Sequence, residues 1–193
     1  MSEQLGLFAA PPDPPVMPDG FRYQAGVIGV DEERALVRDI GQLPFREFEF
    51  HGYTGKRRTV SFGWQYDFGA STLRKVDDIP PFLRRLRETA ASFAGLEPAA
   101  LQHVLVTEYG AGAGIGWHRD KAVFGDVIGF SLLAPCVFRL RRQVGSGWSR
   151  ASITAEPRSA YLLRGPSRTV WEHSIPPVDA LRYSLTFRNL RER

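Results

Sequence analysis

Two histidines, an aspartate and two arginines in this 193-residue chain have the types and spacing of a reactive centre. His118 and Asp120 close the stretch Val106-Thr-Glu-Tyr-Gly-Ala-Gly-Ala-Gly-Ile-Gly-Trp-His-Arg-Asp120. In extended backbone, side chains two positions apart project from the same face, so an imidazole and a carboxylate would leave the lip of a sheet together. That is two thirds of a metal site. Of the remaining histidines, His173 sits in a second β-like run, Thr169-Val-Trp-Glu-His-Ser-Ile175, and is placed to supply the third ligand. Two histidines and a carboxylate on one face of an octahedron leave three positions open, the ligand set of non-haem iron(II) oxygenases. A bare H-x-D is a weak signal in isolation, and His51 and His103, which have no such company, read as structural.

The stretch Arg182-Tyr-Ser-Leu-Thr-Phe-Arg188 strengthens the case. Arg182, Ser184, Thr186 and Arg188 alternate with Tyr183, Leu185 and Phe187, so a strand here has one polar face and one apolar face. A strand half in water shows the same alternation. The other reading is a barrel whose lumen holds an anion. Six steps of about 3.3 Å separate the two arginines by about 20 Å, and side chains folding inward from both ends leave a gap suited to a five-carbon diacid. Arginine's planar fork is the matching donor for a carboxylate. The glycines at 110, 112, 114 and 116 do not make a dinucleotide loop, because Ile115 or Trp117 stands where a third glycine is required. They let the chain double back and bring His118 and Asp120 to a barrel mouth.

These residues, together with Tyr109 nine positions before His118, resemble the AlkB family of iron(II)- and 2-oxoglutarate-dependent dioxygenases over the second half of the chain. The resemblance implies a distorted double-stranded β-helix, or jelly roll, with iron(II) on His118, Asp120 and His173. It implies 2-oxoglutarate with its distal carboxylate on Arg182 and Tyr109 and the other carboxylate on Arg188, and dioxygen as oxidant. The implied reaction couples decarboxylation of 2-oxoglutarate to hydroxylation of a C–H bond; an N-methyl group so treated leaves as formaldehyde. Two asparagines of the family pattern are replaced by Thr107 and Ser184, each costing one hydrogen bond of about 1 kcal/mol. Ala122 stands where repair members carry an acidic residue that reads the damaged base, and Asp126 is the next carboxylate. The expected substrate is methylated DNA or RNA. The alternatives are a hydroxylase or demethylase of protein or small molecules, and a barrel that binds without turnover.

The elements that must position this centre read as a single α+β domain over 21–193, preceded by a flexible proline-rich arm over 1–20. Helices come early and strands late, which argues for helices buttressing one face of an antiparallel double sheet. One helix is expected at about 31–42, with Asp31 as N-cap and Pro44 as stop; a second runs from the Asp78-Ile-Pro-Pro81 segment to Gly95. Strands are expected at about 103–109, 126–133, 136–142, 151–155, 159–164, 169–174 and 181–189. The aromatic and basic stretch 45–68 reads as a hairpin turning at Thr54-Gly55. Its rings are either the core face of a sheet or, as the resemblance implies, a substrate lid in which Arg58, Phe62, Trp64 and Tyr66 meet an extruded base. Lys plus Arg exceed Asp plus Glu by 25 − 21 = 4, compatible with a polyanionic partner. A single cysteine, Cys136, excludes an intramolecular disulfide and fits a reducing cytoplasm; its apolar flanks mark a buried structural thiol. There is no signal-peptide pattern and no apolar run of membrane-spanning length, so a cytoplasmic monomer without membrane contact is expected.

Overall fold

A computed structural model describes residues 17–50, 53–67 and 72–191. In chain order the elements are β1 (Phe21–Gln24), α1 (Val30–Ile40), β2 (Arg46–Phe50), β3 (Tyr53–Phe62), β4 (Trp64–Asp67), β5 (Thr72–Lys75), α2 (Arg84–Ala94), β6 (Leu101–Tyr109) and β7 (Ile115–His118). They continue with β8 (Phe124–Leu132), β9 (Cys136–Val144), β10 (Gly147–Ala155), β11 (Ser159–Leu163), the single turn α3 (Pro166–Thr169), β12 (Glu172–Ile175) and β13 (Arg182–Leu190).

Two facing sheets are built from the last eight strands. One has the order β11-β8-β13-β6 and the other β10-β9-β12-β7, and all their pairings are antiparallel. The chain crosses between sheets at β6 to β7, β8 to β9, β10 to β11 and β12 to β13, which is the expected jelly roll. β1 extends the first sheet beyond β11, and β3 and β2 extend it beyond β6, giving seven strands; β4 and β5 form a separate hairpin.

Both faces of the large sheet are covered, and the sequence alternation decides which side chains meet each cover. Leu36 and Ile40 of α1 and Leu86, Ala90 and Phe93 of α2 pack onto Val104, Val106, Ile128, Phe130, Leu185 and Phe187. The opposite face of that sheet meets the small sheet through Tyr109, Val127, Tyr161 and Leu163 against Phe138, Leu140 and Ile175. In α2 the apolar residues recur at three and four, and Gly95, in the left-handed region at φ 64°, ends the helix while the Leu96 amide reaches back to the Ala91 carbonyl.

Local boundaries differ from the sequence reading in five places. Gly29, not Asp31, caps α1; Asp31, Glu32 and Glu33 instead occupy its first turn, where acidic charge suits the helix dipole. The helix ends at Gly41, before Pro44 is reached. In the β2–β3 hairpin Phe50 pairs with Tyr53, so Thr54 and Gly55 lie within β3 opposite Glu49 and Phe48, not at a turn; residues 51 and 52, His51 among them, lie outside the described residues. β7 emerges from what reads as a glycine turn, because glycine at every second position hides the strand alternation. The strand expected at 169–174 starts only at Glu172, since Pro166 opens the helical turn α3. Residues 1–16 of the proline-rich arm also lie outside the described residues; Met17 packs against the core between the sheets.

Glu33 ties α1 to the barrel. Leu133 and Arg158 hold positive φ angles of 72° and 64°, a strained choice for residues with a side chain. Both are fixed by the one buried carboxylate: the Leu133 amide donates to Glu33 Oε1 at 2.9 Å and Arg158 Nη1 donates to Oε2 at 2.8 Å. Replacing Glu33 with Ala removes the acceptor of the part-buried Leu133 amide and frees both corners. The expected outcome is a loss of about 2 kcal/mol, read as a lower denaturant midpoint with unchanged slope, most of it restored by Glu33→Gln.

Candidate active site

Strand register assembles the site. β13 lies between β6 and β8, so Arg182 faces Tyr109, Ser184 faces Thr107 and Arg188 faces His103, with Ser131 on the other side of Ser184. This polar row points into the barrel while Tyr183, Leu185 and Phe187 lie under the helices. Arg182 is fully buried and Arg188 is 6% exposed, so neither belongs to a solvated strand face. Across the small sheet His173 stands directly opposite His118, with ring centroids 4.2 Å apart. Asp120, just past the end of β7, places Oδ2 3.7 Å from His173 Nε2 and accepts from Arg188 Nη2 on Oδ1 at 2.6 Å. Tyr109, Thr107, Ser184, His118, His173 and Arg188 line one cavity. Among the described residues no group of three His, Cys, Asp or Glu side chains is closed into a metal-binding cluster, and Asp120 shares its carboxylate between Arg188 and His173.

The surroundings hold these groups in place. His118 donates from Nδ1 to the Gly116 carbonyl at 2.9 Å, which leaves Nε2 with the lone pair. His173 stacks on Phe138, centroids 5.4 Å apart. Gly129 lacks a side chain because a methyl there would overlap the Tyr161 ring. Sequence reasoning missed Arg168, which is 5% exposed and donates to the carbonyls of Asp120, Lys121, Phe124 and Gly125, shaping the loop that carries the aspartate. It also read His103 as structural. That imidazole is buried, with Nδ1 3.3 Å from Arg188 Nη1, and so helps to aim the arginine.

Electrostatics leave the three candidate ligands in their coordinating forms. Burial, reinforced by His118, pulls the His173 imidazole down to about 3, and burial likewise lowers His118. For Asp120 burial works the other way, but Arg188 and the two imidazoles outweigh it and hold the carboxyl below the usual carboxylate range. Neutral imidazoles beside an ionised carboxylate form a donor set suited to a divalent cation. Arg182 donates from Nε to Ser131 Oγ at 2.9 Å, while its buried Nη1 and Nη2 and the buried Nε of Arg188 have no hydrogen-bond partner. An always-charged group so placed fits an incoming carboxylate.

The proposed lid residues fall differently. Arg58 and Phe62 are on the helix-side face of β3: Arg58 pairs with Glu108 at 2.7 Å, and Phe62, 7% exposed, is part of the outer core. Neither is presented to the cavity, which Arg57 and Thr59 line instead. Alternation was legible; which parity faced inward was not. Trp64 and Tyr66 are half-buried on β4, and Lys121, next to Asp120, sits 5.1 Å from the Tyr66 ring. Asp126 is held by Arg164, and Ala122 is exposed. Cys136 is buried, which pushes its thiol up, as expected of a structural cysteine.

Comparison with known proteins agrees with this architecture. The model of the 2OG-Fe(II) oxygenase superfamily matches residues 42–188, and the chain belongs to that superfamily. The Alkylated DNA repair protein ALKBH8 homolog of Arabidopsis thaliana is 29% identical over 145 residues, 63% of this chain and 42% of the relative. The tRNA (carboxymethyluridine(34)-5-O)-methyltransferase ALKBH8 of Mus musculus is 25% identical over 189 residues, 91% of this chain and 26% of the relative. The Uncharacterized protein L905 of Acanthamoeba polyphaga mimivirus is 29% identical over 190 residues, with 89% and 85% coverage. The chain therefore spans less than half the length of the two ALKBH8 relatives. The solved structure of OsALKBH1 superposes with a TM-score of 0.67 at 18% identity, over 90% of this chain and 100% of that one, and so shares the fold. Within the superfamily, the named proteins that the chain resembles are ALKBH proteins. No helix among the described residues is long and apolar enough to cross a membrane.

The depressed imidazole gives a pH signature. His173 titrates near 3 when folded against about 6.5 when unfolded, so the unfolded chain takes up the extra proton between those values. The stability this group contributes is present above pH 6.5 and declines as the pH falls toward 3. The metal-free denaturation midpoint is expected to drop between pH 7 and pH 5, and His173→Asn to flatten that drop.

Proposed function

We propose that the protein removes N-methyl groups from nucleic acid by oxidation, with His118, Asp120 and His173 holding iron(II) and Arg182, Tyr109 and Arg188 holding 2-oxoglutarate. Arg182 carries the co-substrate assignment: it is fully buried, and its two terminal nitrogens lack a partner. A carboxylate meeting both in a fork would satisfy them. Burial, partly opposed by Arg182, raises the Tyr109 phenol above its ordinary value, so the hydroxyl stays protonated and able to donate to the same carboxylate. Thr107 and Ser184 face one another between the two arginines and offer short hydroxyl partners along the diacid.

Iron(II) with 2-oxoglutarate and dioxygen supplies the oxidising power. The chain's own work is positioning. The Arg188–Asp120 contact fixes the aspartate beside the imidazoles, the Gly116 carbonyl orients His118, and Ile115, Phe138, Tyr161 and Ile175 wall the cavity against water. The nucleic-acid part of the reading is supported by the printed names of the ALKBH8 relatives, which refer to alkylated DNA and to tRNA, and by the net charge of +4.

The test is a panel of methylated DNA, RNA and peptide substrates offered with iron(II) and 2-oxoglutarate, followed by mass spectrometry. Methyl loss from an oligonucleotide, coupled to succinate formation and abolished in His118→Ala, is expected; loss from peptides alone would remove the substrate assignment. Arg182→Gln is expected to raise the 2-oxoglutarate KM about 10- to 100-fold, the ~1.5–3 kcal/mol of a hydrogen bond to a charged group.

A further inference from the structure

Arg57 bears on which substrates the pocket accepts, an inference that rests on the reading just given. Register sets it directly beside Tyr109, which is flanked on its other side by Arg182, so Arg57, Tyr109 and Arg182 form one cross-strand row on the barrel-facing side of the large sheet. The next row is Thr59, Thr107 and Ser184. Arg57 and Thr59 line the same cavity as His118 and His173. Burial pulls the Arg57 pKa down, yet a guanidinium starts so high that it keeps its proton.

A diacid needs a guanidinium for each carboxylate, and Arg182 and Arg188 provide both, Arg182 through Nη1 and Nη2 and Arg188 through Nε. Arg57 is surplus to that task and lies on β3, where the large sheet continues past β6. Among the described residues lining the cavity none is Asp or Glu. Asp120, at its edge, is held by Arg188, and Glu108 is spent on Arg58 on the other face of the sheet. In the loaded pocket the co-substrate's two carboxylates offset Arg182 and Arg188, and Asp120 offsets half of a divalent ion. The remaining charge is positive, and Arg57 stands beside it on the cavity wall.

We infer that Arg57 sets the substrate class: a methylated or otherwise substituted base that is neutral or anionic and presents an oxygen to the guanidinium, in preference to one whose ring carries a positive charge. Like charges sharing a partly dry cavity repel far more than in water, while a carbonyl or carboxylate oxygen gains a charge-assisted hydrogen bond.

The experiment uses the whole protein with 2-oxoglutarate and manganese(II), which holds the site without turnover, and measures binding of three nucleosides: neutral 3-methyluridine, anionic 5-carboxymethyluridine and cationic 1-methyladenosine. The first two are expected to bind at least tenfold more tightly than the third. Arg57→Lys is expected to keep that ratio, Arg57→Gln to flatten it and Arg57→Glu to reverse it; a reversal cannot come from misfolding. Equal binding, no binding, or a preference for the cationic nucleoside in the unaltered protein overturns the inference, as does an unchanged ratio in Arg57→Gln. Absence of methyl loss from every oligonucleotide would instead sink the demethylation reading, and nucleoside binding would still decide this one.

Discussion

A guanidinium has no neutral form to retreat to, so each one taken out of water must find acceptors. Three arginines of this barrel are almost wholly buried, and their different solutions organise the site. Arg168 spends four of its five N–H donors on backbone carbonyls and works as scaffold, giving the Asp120 loop its shape. Arg188 is held by Asp120 and His103. Arg182 has Ser131 alone and keeps two nitrogens in reserve. The gradient from satisfied to unsatisfied runs from architecture to binding.

That gradient depends on a clean division between the two faces of the large sheet. The apolar set on β6, β8 and β13 lies under α1 and α2, and the polar set is left to the lumen. A one-residue slip of β13 would turn Arg182 and Arg188 into the helix-packed core and Leu185 and Phe187 into the cavity, so hydrophobic burial enforces the register that the chemistry needs.

Much of this was legible in the sequence because it rests on period and residue type. The alternation in Arg182–Arg188 and the pairing of His118 with Asp120 follow from side chains that point two ways from a pleat, whereas the jelly roll was implied by the family resemblance those residues carry. What escaped was information of another kind. Arg58 and Phe62 look as suited to a pocket as Arg57 and Thr59, and only pairing with β6 shows that odd positions of β3 face inward. Arg168 stands in no chemical motif, and its role lies in carbonyls 43 to 48 residues away. The β7 strand was masked by glycines, whose missing side chains leave no pattern to read.

The placement of β13 has a consequence for how the protein comes into being. It is the last strand among the described residues, yet it sits in the interior of the large sheet, hydrogen-bonded to β6 on one side and β8 on the other. Until it arrives, those two strands have open edges and the lumen lacks both arginines. Assembly therefore waits on contacts of long sequence separation, which slows folding and exposes sticky strand edges meanwhile. A polypeptide still emerging from the ribosome carries all three candidate metal ligands, and Tyr109 with them, before either arginine that would grip the diacid has been made.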